Sequence, residues 1–311
     1  MKERLASTVV MIRPAHFGFN PETEGSNTFQ RRIAELSRGE VQEMALHEFD
    51  RFVAALKWAG VEVLVFDDSE VPETPDAIFP NNWFATHPNG PLLTFPLESP
   101  NRRGERRDDI LDMLQKDYGY TLDRALEAGE GDAHFLEGTG SLVLDHKNKI
   151  AYAALSSRTH EASLQRYAKL SGYQPVAFSA TGPQGEPIYH TNVILCLGPD
   201  FALIGADTID KADKKRVLDR LKKTGKTVLK LTNEQVYQHF AGNMLCLASK
   251  SGQRLLVMSK AANLSLTAAQ RKTIEEDFGC RIVSSAIPTI ELLGGGSARC
   301  MIAEVFTPGK K

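Results

Sequence analysis

The sequence of 311 residues has few cysteines, no long apolar segment and almost no net charge. Its four cysteines, at positions 196, 246, 280 and 300, show neither paired nor metal-ligand spacing, which is typical of a reduced cytoplasmic protein. The absence of a run of about 18 apolar residues excludes a transmembrane helix. The formal charge of −2 argues against nucleic acid as a partner. We therefore expect a cytoplasmic protein that binds neither membranes nor nucleic acid.

A structural pattern of strand, turn, strand, helix and strand recurs four times between residues 82 and 283. Apolar β-prone segments flank the turns, and a glycine ends most of the predicted helices. The predicted hairpin strands span residues 82–87 and 92–95, 139–145 and 150–154, 192–197 and 201–205, and 243–248 and 255–258. The predicted helices span residues 102–117, 160–170, 211–223 and 267–278, and the following strands span residues 174–178, 227–231 and 281–283.

A fifth copy of the unit forms if the two ends of the chain pair. A strand at 300–306 would join one at 7–12, together with the helix at 41–59 and the strand at 61–66. Repeats of about 50 residues indicate radial or stacked arrays, and closure of the ring removes open sheet edges. We therefore predict one α/β domain over residues 1–311, a pseudo-fivefold propeller. A doubly wound sheet would need strands and helices to alternate singly, and the hairpins contradict it.

The repeat also predicts where functional side chains lie. The residues at the entrance of the five first strands are Asn82, Glu137, His190, Gly242 and Cys300. Equivalent positions in a ring face its axis, so an amide, a carboxylate, an imidazole and a thiol should converge there. Each of these four side chains also has an ordinary alternative role. Asn82 could be a turn residue, Glu137 could cap the turn at residues 138–140, His190 could be a partly buried histidine, and Cys300 could be a core cysteine.

A cysteine beside a histidine and a carboxylate is typical of nucleophilic catalysis. The thiolate of Cys300 would attack, and His190 would protonate a leaving group and later deprotonate water. The run Gly294-Gly295-Gly296 just before Cys300 would let other atoms approach the backbone closely. These residues by themselves do not identify the substrate.

Three motifs carry a resemblance to a known family. They are Leu136-Glu137-Gly138-Thr139-Gly140-Ser141, then Tyr189-His190-Thr191-Asn192, then Gly294-Gly295-Gly296-Ser297-Ala298-Arg299-Cys300-Met301. In this order they resemble the guanidine-modifying amidinotransferase superfamily, which includes arginine deiminase and dimethylarginine dimethylaminohydrolase. With Phe79-Pro80-Asn81-Asn82-Trp83-Phe84, the sequence looks most like the bacterial citrulline utilization hydrolases. The resemblance covers nearly the whole chain and implies the same five-unit propeller.

The resemblance implies roles for individual residues. Cys300 matches the nucleophile, His190 the general acid and base, and Glu137 the carboxylate that holds the substrate nitrogens and the imidazole. Arg158 matches an arginine near the carboxylate end of the substrate, although a surface arginine at a helix start remains an alternative. The partner expected is a small amino acid, no cofactor or metal ion is expected, and a homo-oligomer remains open.

Two departures from the arginine deiminase pattern concern the substrate. Those enzymes have an Arg-Asp pair where this chain has Asn81-Asn82, and another acid where it has Asn192. Asn81, Asn82 and Asn192 are therefore predicted to bind the substrate. Two neutral amides match a ureido group, whereas a guanidinium has only donors and carries a charge that burial makes costly. Citrulline is therefore the leading predicted substrate, with arginine and methylated arginines as alternatives.

Two other functions remain open from the sequence. An amidinotransferase would pass the same covalent unit to an amine rather than to water, and no motif separates these acceptors. A propeller that binds such ligands without catalysis is disfavoured by the complete set of Cys300, His190 and Glu137. We also predict that the loop over residues 16–30 is a lid, because long polar loops without periodicity usually cover binding sites.

Overall fold

The computed structural model describes residues 5–32 and 35–306. The strands are β1 (Thr8–Arg13), β2 (Glu62–Asp67), β3 (Phe84–Thr86), β4 (Leu92–Thr94), β5 (Leu122–Asp123), β6 (Val143–Asp145), β7 (Ile150–Ala154), β8 (Gln174–Phe178), β9 (Leu195–Leu197), β10 (Phe201–Ile204), β11 (Thr227–Lys230), β12 (Leu245–Ala248), β13 (Arg254–Ser259), β14 (Arg281–Ser285) and β15 (Ala303–Val305). The α-helices are α1 (Arg38–Trp58), α2 (Asp108–Tyr118), α3 (Gly138–Ser141), α4 (Glu161–Ser171), α5 (Lys211–Lys223), α6 (Asn233–His239), α7 (Lys260–Ser265), α8 (Ala268–Lys272) and α9 (Pro288–Gly294).

These strands form, within the described residues, five sheets of three strands each. In every sheet the middle strand pairs antiparallel with the first and parallel with the third. A helical segment connects each parallel pair, as parallel strands require. The last strand, β15, pairs with β1, and β1 pairs with β2, so the chain ends share one sheet. The predicted five-unit α/β propeller, including its fifth copy, is confirmed.

Local signals account for most of the helix ends. Ser37 and Glu40 form a capping box at the start of α1, and His160 accepts a hydrogen bond from the Ala162 N–H at the start of α4. α2 ends at Gly119 and α4 ends at Gly172, each with a left-handed backbone that glycine adopts without strain. These features explain why the predicted helix boundaries lie close to the observed ones.

The predicted first strand of each unit begins too early. The strands predicted from residues 82, 139, 192, 243 and 300 begin at residues 84, 143, 195, 245 and 303. Three of the entrance segments are single helical turns, namely Pro80–Asn82, α3 and Thr191–Val193. The predicted helix at 102–117 is also wrong in its first turn, because a 3₁₀ segment at Pro100–Glu105 precedes α2. The helices α6, α7 and α9 and the short strand β5 were not predicted.

The entrance turns meet because neighbouring first strands lie side by side. β15 contacts β3, β9 contacts β6 and β12, and α3 contacts the turns at Pro80–Asn82 and Thr191–Val193. A Cβ at Gly138 would lie 2.2 Å from the carbonyl oxygen of Asn81. Only glycine allows the backbones of these two turns to approach so closely. This contact brings side chains from separate units to one place.

No helix among residues 5–32 and 35–306 combines the length and apolarity needed to cross a membrane.

Candidate active site

Cys300 lies on a turn between α9 and β15, not on a strand as predicted. Gly295, which ends α9, has a φ of 61°, and a Cβ there would lie 2.6 Å from the side chain of Asn27. Glycine is therefore needed both for the left-handed helix end and for the approach of Asn27. The Cys300 backbone N–H donates to Ser297 O over 2.9 Å. This hydrogen bond holds the buried thiol just before β15.

His190 and Glu137 meet in the interior, 2.9 Å apart between Nε2 and Oε2. Because an ionised carboxylate only accepts, Nε2 carries the proton that is shared with Glu137. The Glu137 side chain makes no capping hydrogen bond to α3, so the capping alternative is wrong. Burial lowers the pKa of His190, although Glu137 acts in the opposite direction. A neutral imidazole therefore faces the site at pH 7.

Two buried arginines stand beside Glu137. Arg158 Nη1 lies 3.4 Å from Oε2 of this carboxylate, and Arg102 Nη1 lies 3.6 Å from the same oxygen. Burial alone would raise the pKa of Glu137, but Arg158, His190 and Arg102 together outweigh burial and hold this pKa well below its usual range. The carboxylate is therefore ionised at neutral pH.

Arg158 is buried in the wall of the site, so the alternative of a surface arginine is wrong. Its Nε lies 3.3 Å from a Glu98 carboxylate oxygen, and its Nη2 donates to Ser26 Oγ over 2.8 Å. The guanidinium also covers the ring of Tyr189 at 5.3 Å. The contact of Arg158 with a substrate carboxylate stays a prediction.

The predicted asparagines occupy different positions. Asn82 lines the site, where its Oδ1 accepts from Arg102 Nη1 over 2.9 Å and its Nδ2 donates to Asn81 Oδ1 over 3.1 Å. Asn81 is fully buried beside it and supports this orientation. Asn192 Nδ2 points at Cys300 Sγ over 3.5 Å. The fold thus brings Asn82 and Asn192 to the thiol region from separate units, with Asn81 behind them.

Sequence reasoning missed three residues of the site. Asn243 lies one position after the predicted Gly242, and its Nδ2 is 3.3 Å from Cys300 Sγ. Arg102 lay inside a predicted helix, and Asp76 lies in the loop before β3. Asp76 Oδ1 has no hydrogen-bond partner among the described residues. Reading the repeat one residue further would have found Asn243, whereas Arg102 and Asp76 lie outside the repeated positions and gave no such signal.

These side chains surround a small, partly open cavity with a volume of about 10 Å³. It is lined by Asn27, Asp76, Phe79, Asn82, Arg102, Arg158, Tyr189, His190, Gly294, Gly296 and Cys300. The loop predicted to be a lid lies over it, since Asn27 Nδ2 donates to Gly294 O over 3.1 Å and Ser26 contacts Arg158. Movement of this loop on substrate binding stays a prediction.

In the described part of the chain, no three His, Cys, Asp or Glu side chains are grouped to hold a metal ion.

The sequence was also compared with known protein families and proteins. The model of a family described as N,N dimethylarginine dimethylhydrolase, eukaryotic, matches residues 13–307. No match to the sequence was found among curated proteins. The predicted relationship to the guanidine-modifying superfamily is therefore confirmed, whereas the narrower bacterial citrulline hydrolase branch stays a prediction.

Several solved structures share the fold. The N-terminal domain of ArgZ bound to product, an arginine dihydrolase from the ornithine–ammonia cycle in cyanobacteria, has a TM-score of 0.71 at 18% identity, over 98% of this chain and 99% of that chain. Unliganded AgrE has a TM-score of 0.72 at 18% identity, over 98% of this chain and 40% of that chain. A dimethylarginine dimethylaminohydrolase in an adduct with S-methyl-L-thiocitrulline has a TM-score of 0.65 at 13% identity, over 97% of this chain and all of that chain.

Proposed function

Because the chain belongs to the N,N-dimethylarginine dimethylhydrolase family, we propose that it is a cysteine-dependent hydrolase of guanidino or ureido amino acids. The observation that carries this proposal is that Cys300 and His190 line the same cavity while Glu137 binds the imidazole of His190. These three residues come from three different units of the ring. A thiol, a neutral imidazole and an ionised carboxylate are the groups that covalent hydrolysis of a planar C–N bond needs.

The reaction divides into two steps. The neutral imidazole of His190 takes the thiol proton, and the Cys300 sulfur forms a bond to the central carbon of the substrate. The bond from that carbon to a nitrogen then breaks, and the nitrogen leaves as ammonia or an amine with the proton from His190. A ureido substrate leaves an S-carbamoyl group on Cys300, and a guanidino substrate leaves a thiouronium group. His190 next takes a proton from water, which displaces the sulfur and frees the enzyme.

The charges of the cavity support an amino acid as the substrate. Arg102 and Arg158 place two guanidinium groups in the wall of the cavity. Arg102 already binds the Glu105 carboxylate in a fork, at 2.7 and 2.9 Å, so Arg158 is the proposed partner of a substrate carboxylate. The Oδ1 of Asp76, which has no hydrogen-bond partner among the described residues, would accept a hydrogen bond from an ammonium group of the substrate. Asp76 also adds a negative charge to the cavity, which offsets part of the charge of a guanidinium. An amino acid with its α-carboxylate and α-ammonium groups matches these opposite charges.

The polar side chains near the catalytic residues favour a substrate with a neutral ureido group. Both oxygens of Glu137 already have partners, namely the Glu98 backbone N–H at 3.0 Å and His190. The Oδ1 of Asn82 accepts from Arg102, and one proton of its Nδ2 is donated to Asn81, so one N–H of this amide remains as a donor for the substrate. A ureido oxygen accepts such a donor, whereas a guanidinium has no acceptor. We therefore propose citrulline as the preferred substrate.

Arginine is the second candidate. The family match and the likeness to an arginine dihydrolase favour a guanidino substrate, and Asp76 adds a negative charge that offsets a buried cation. Of the two acceptors considered, water is favoured over an amine because the family is one of hydrolases.

The test measures ammonia release from citrulline, arginine and methylated arginines at equal concentration, without an added amine. Citrulline should show the highest kcat/KM. A higher value for arginine would contradict the ureido argument, and turnover that requires an amine would indicate a transferase. Cys300→Ser should lose several orders of magnitude in rate, because a hydroxyl is a weak nucleophile. Cys196→Ser, which changes a buried cysteine outside the cavity, is the matched control and should keep wild-type activity.

A further inference from the structure

Asn243 contacts the sulfur of Cys300 from the fourth unit of the ring. Its Nδ2 lies 3.3 Å from Sγ and 3.1 Å from the backbone oxygen of Asn192. The side chain is completely buried. Asn192 Nδ2 approaches the same sulfur at 3.5 Å, so two amides from neighbouring units flank the thiol.

The orientation of the Asn243 amide follows from its partners. Its Oδ1 accepts the backbone N–H of Arg299 over 3.0 Å, and a backbone N–H can only donate. The opposite end must therefore be the NH₂ group, and the Asn192 carbonyl, which can only accept, agrees with this assignment. One amide proton is directed to Asn192 O, which leaves the other for the sulfur.

The surroundings of Asn243 keep this contact rigid. A Cβ at Gly242 would lie 2.1 Å from Val193 O, so glycine is needed to bring the fourth turn against the third. On the other side, the Arg299 guanidinium donates to Ile302 O over 2.8 Å and to Glu304 Oε2 over 2.9 Å. Arg299 thereby fixes the backbone N–H that orients Asn243, which explains why an arginine precedes the nucleophile although it points away from the cavity.

We propose that Asn243 is a further catalytic residue, whose amide donates to the Cys300 sulfur, holds it in place for attack and stabilises its thiolate form. This inference rests on the proposed function of Cys300. A thiolate accepts a hydrogen bond from an amide more strongly than a neutral thiol does, because the acceptor is charged. When sulfur bonds to the substrate carbon, its negative charge passes to the oxygen of a ureido group or neutralises the cation of a guanidino group. The Asn243 amide therefore stabilises the thiolate, which is the form of Cys300 that starts the reaction.

The test compares Asn243→Asp and Asn243→Ala with Asn263→Ala. Asn243→Asp keeps an oxygen for the Arg299 N–H but replaces the donor by an anionic oxygen facing the sulfur. We expect kcat to fall about 10- to 100-fold in the alanine variant and further in the aspartate variant, with little change in KM, since one hydrogen bond to a charged group has about this effect. Asn263 lies in α7, away from the cavity, and donates to Ser284 Oγ, so its variant should keep wild-type kcat.

A second readout separates catalysis from folding. Alkylation of Cys300 by iodoacetamide at pH 7 should slow together with kcat, because the thiolate is the reactive form. A folded Asn243→Asp enzyme with wild-type kcat or wild-type alkylation overturns the proposal. A crystal structure of the wild-type enzyme is independent of any folding defect, and an Asn243 amide turned away from Sγ would also overturn it. If wild-type enzyme releases no ammonia from any substrate, the proposed function fails, while the alkylation rates still decide the role of Asn243.

Discussion

The effect of a single methyl group at Gly140 tests the geometry of the site most directly. Gly140 lies in α3, close to the point where the second and third units meet. A Cβ at this position would lie 2.7 Å from both Cε1 and Nδ1 of His190 and 2.6 Å from Nδ2 of Asn82. Favourable contacts between carbon atoms lie at about 3.5–4.0 Å. Gly140→Ala must therefore displace the imidazole by about 1 Å or disturb Asn82 by a similar amount.

The expected loss in rate follows from this displacement. A misplacement of about 1 Å in a catalytic group costs about 100-fold in rate, so kcat of Gly140→Ala should fall by about this factor. The extra methyl should also reduce the free energy of unfolding by about 1–3 kcal/mol, which is typical of overpacking in a core. Cys300 is unchanged, and it should still be alkylated by iodoacetamide.

Steady-state ammonia release, with urea unfolding for stability, measures both effects. Gly39→Ala is the matched control, because a Cβ there meets nothing within 4 Å and the residue lies in α1. This control should keep wild-type kcat and gain up to about 1 kcal/mol of stability. A Gly140→Ala enzyme with kcat within threefold of wild type would refute the assignment of His190 as the general acid and base.

Three further predictions concern pH, specificity and the loop over the site. Burial lowers the pKa of His87 from 6.5 to about 4. Between pH 6.5 and about 4, His87 is protonated in the unfolded chain but not in the folded chain. The free energy of unfolding therefore falls by about 1.4 kcal/mol for each pH unit of acidification in this range. Urea unfolding of His87→Gln from pH 6.5 to 4 should show a correspondingly weaker pH dependence, and an unchanged slope would contradict it. The double variant Asn82→Asp with Asn192→Asp should shift kcat/KM from citrulline toward arginine, because two acids compensate the guanidinium charge; a shift toward citrulline would refute this reasoning. Arg158→Ala removes the hydrogen bonds to Ser26, so limited proteolysis of the loop at 16–30 should become faster than in wild type, and equal cleavage would show that Arg158 does not hold it.

Local features of the sequence were enough to predict the repeated unit. Apolar β-prone segments, hairpin turns and the glycines that end α2 and α4 are interactions between residues close in the chain, so their pattern is readable without a structure. Their regular spacing placed Glu137, His190 and Cys300 at equivalent positions, and the symmetry of a ring then predicted that they meet. The distance of 2.9 Å between His190 and Glu137 agrees with that reasoning.

The tertiary structure alone decided which way the side chains of the site face. The amide of Asn82 is oriented by Arg102, twenty residues later on a 3₁₀ turn, which donates to its oxygen. Asn243 points its NH₂ group at Cys300 because the backbone of Arg299 occupies its oxygen. An isolated asparagine has no preferred orientation of its amide, so its sequence position predicts proximity but not polarity. Contacts with segments that lie further along the chain supply that polarity, and they form only in the folded structure.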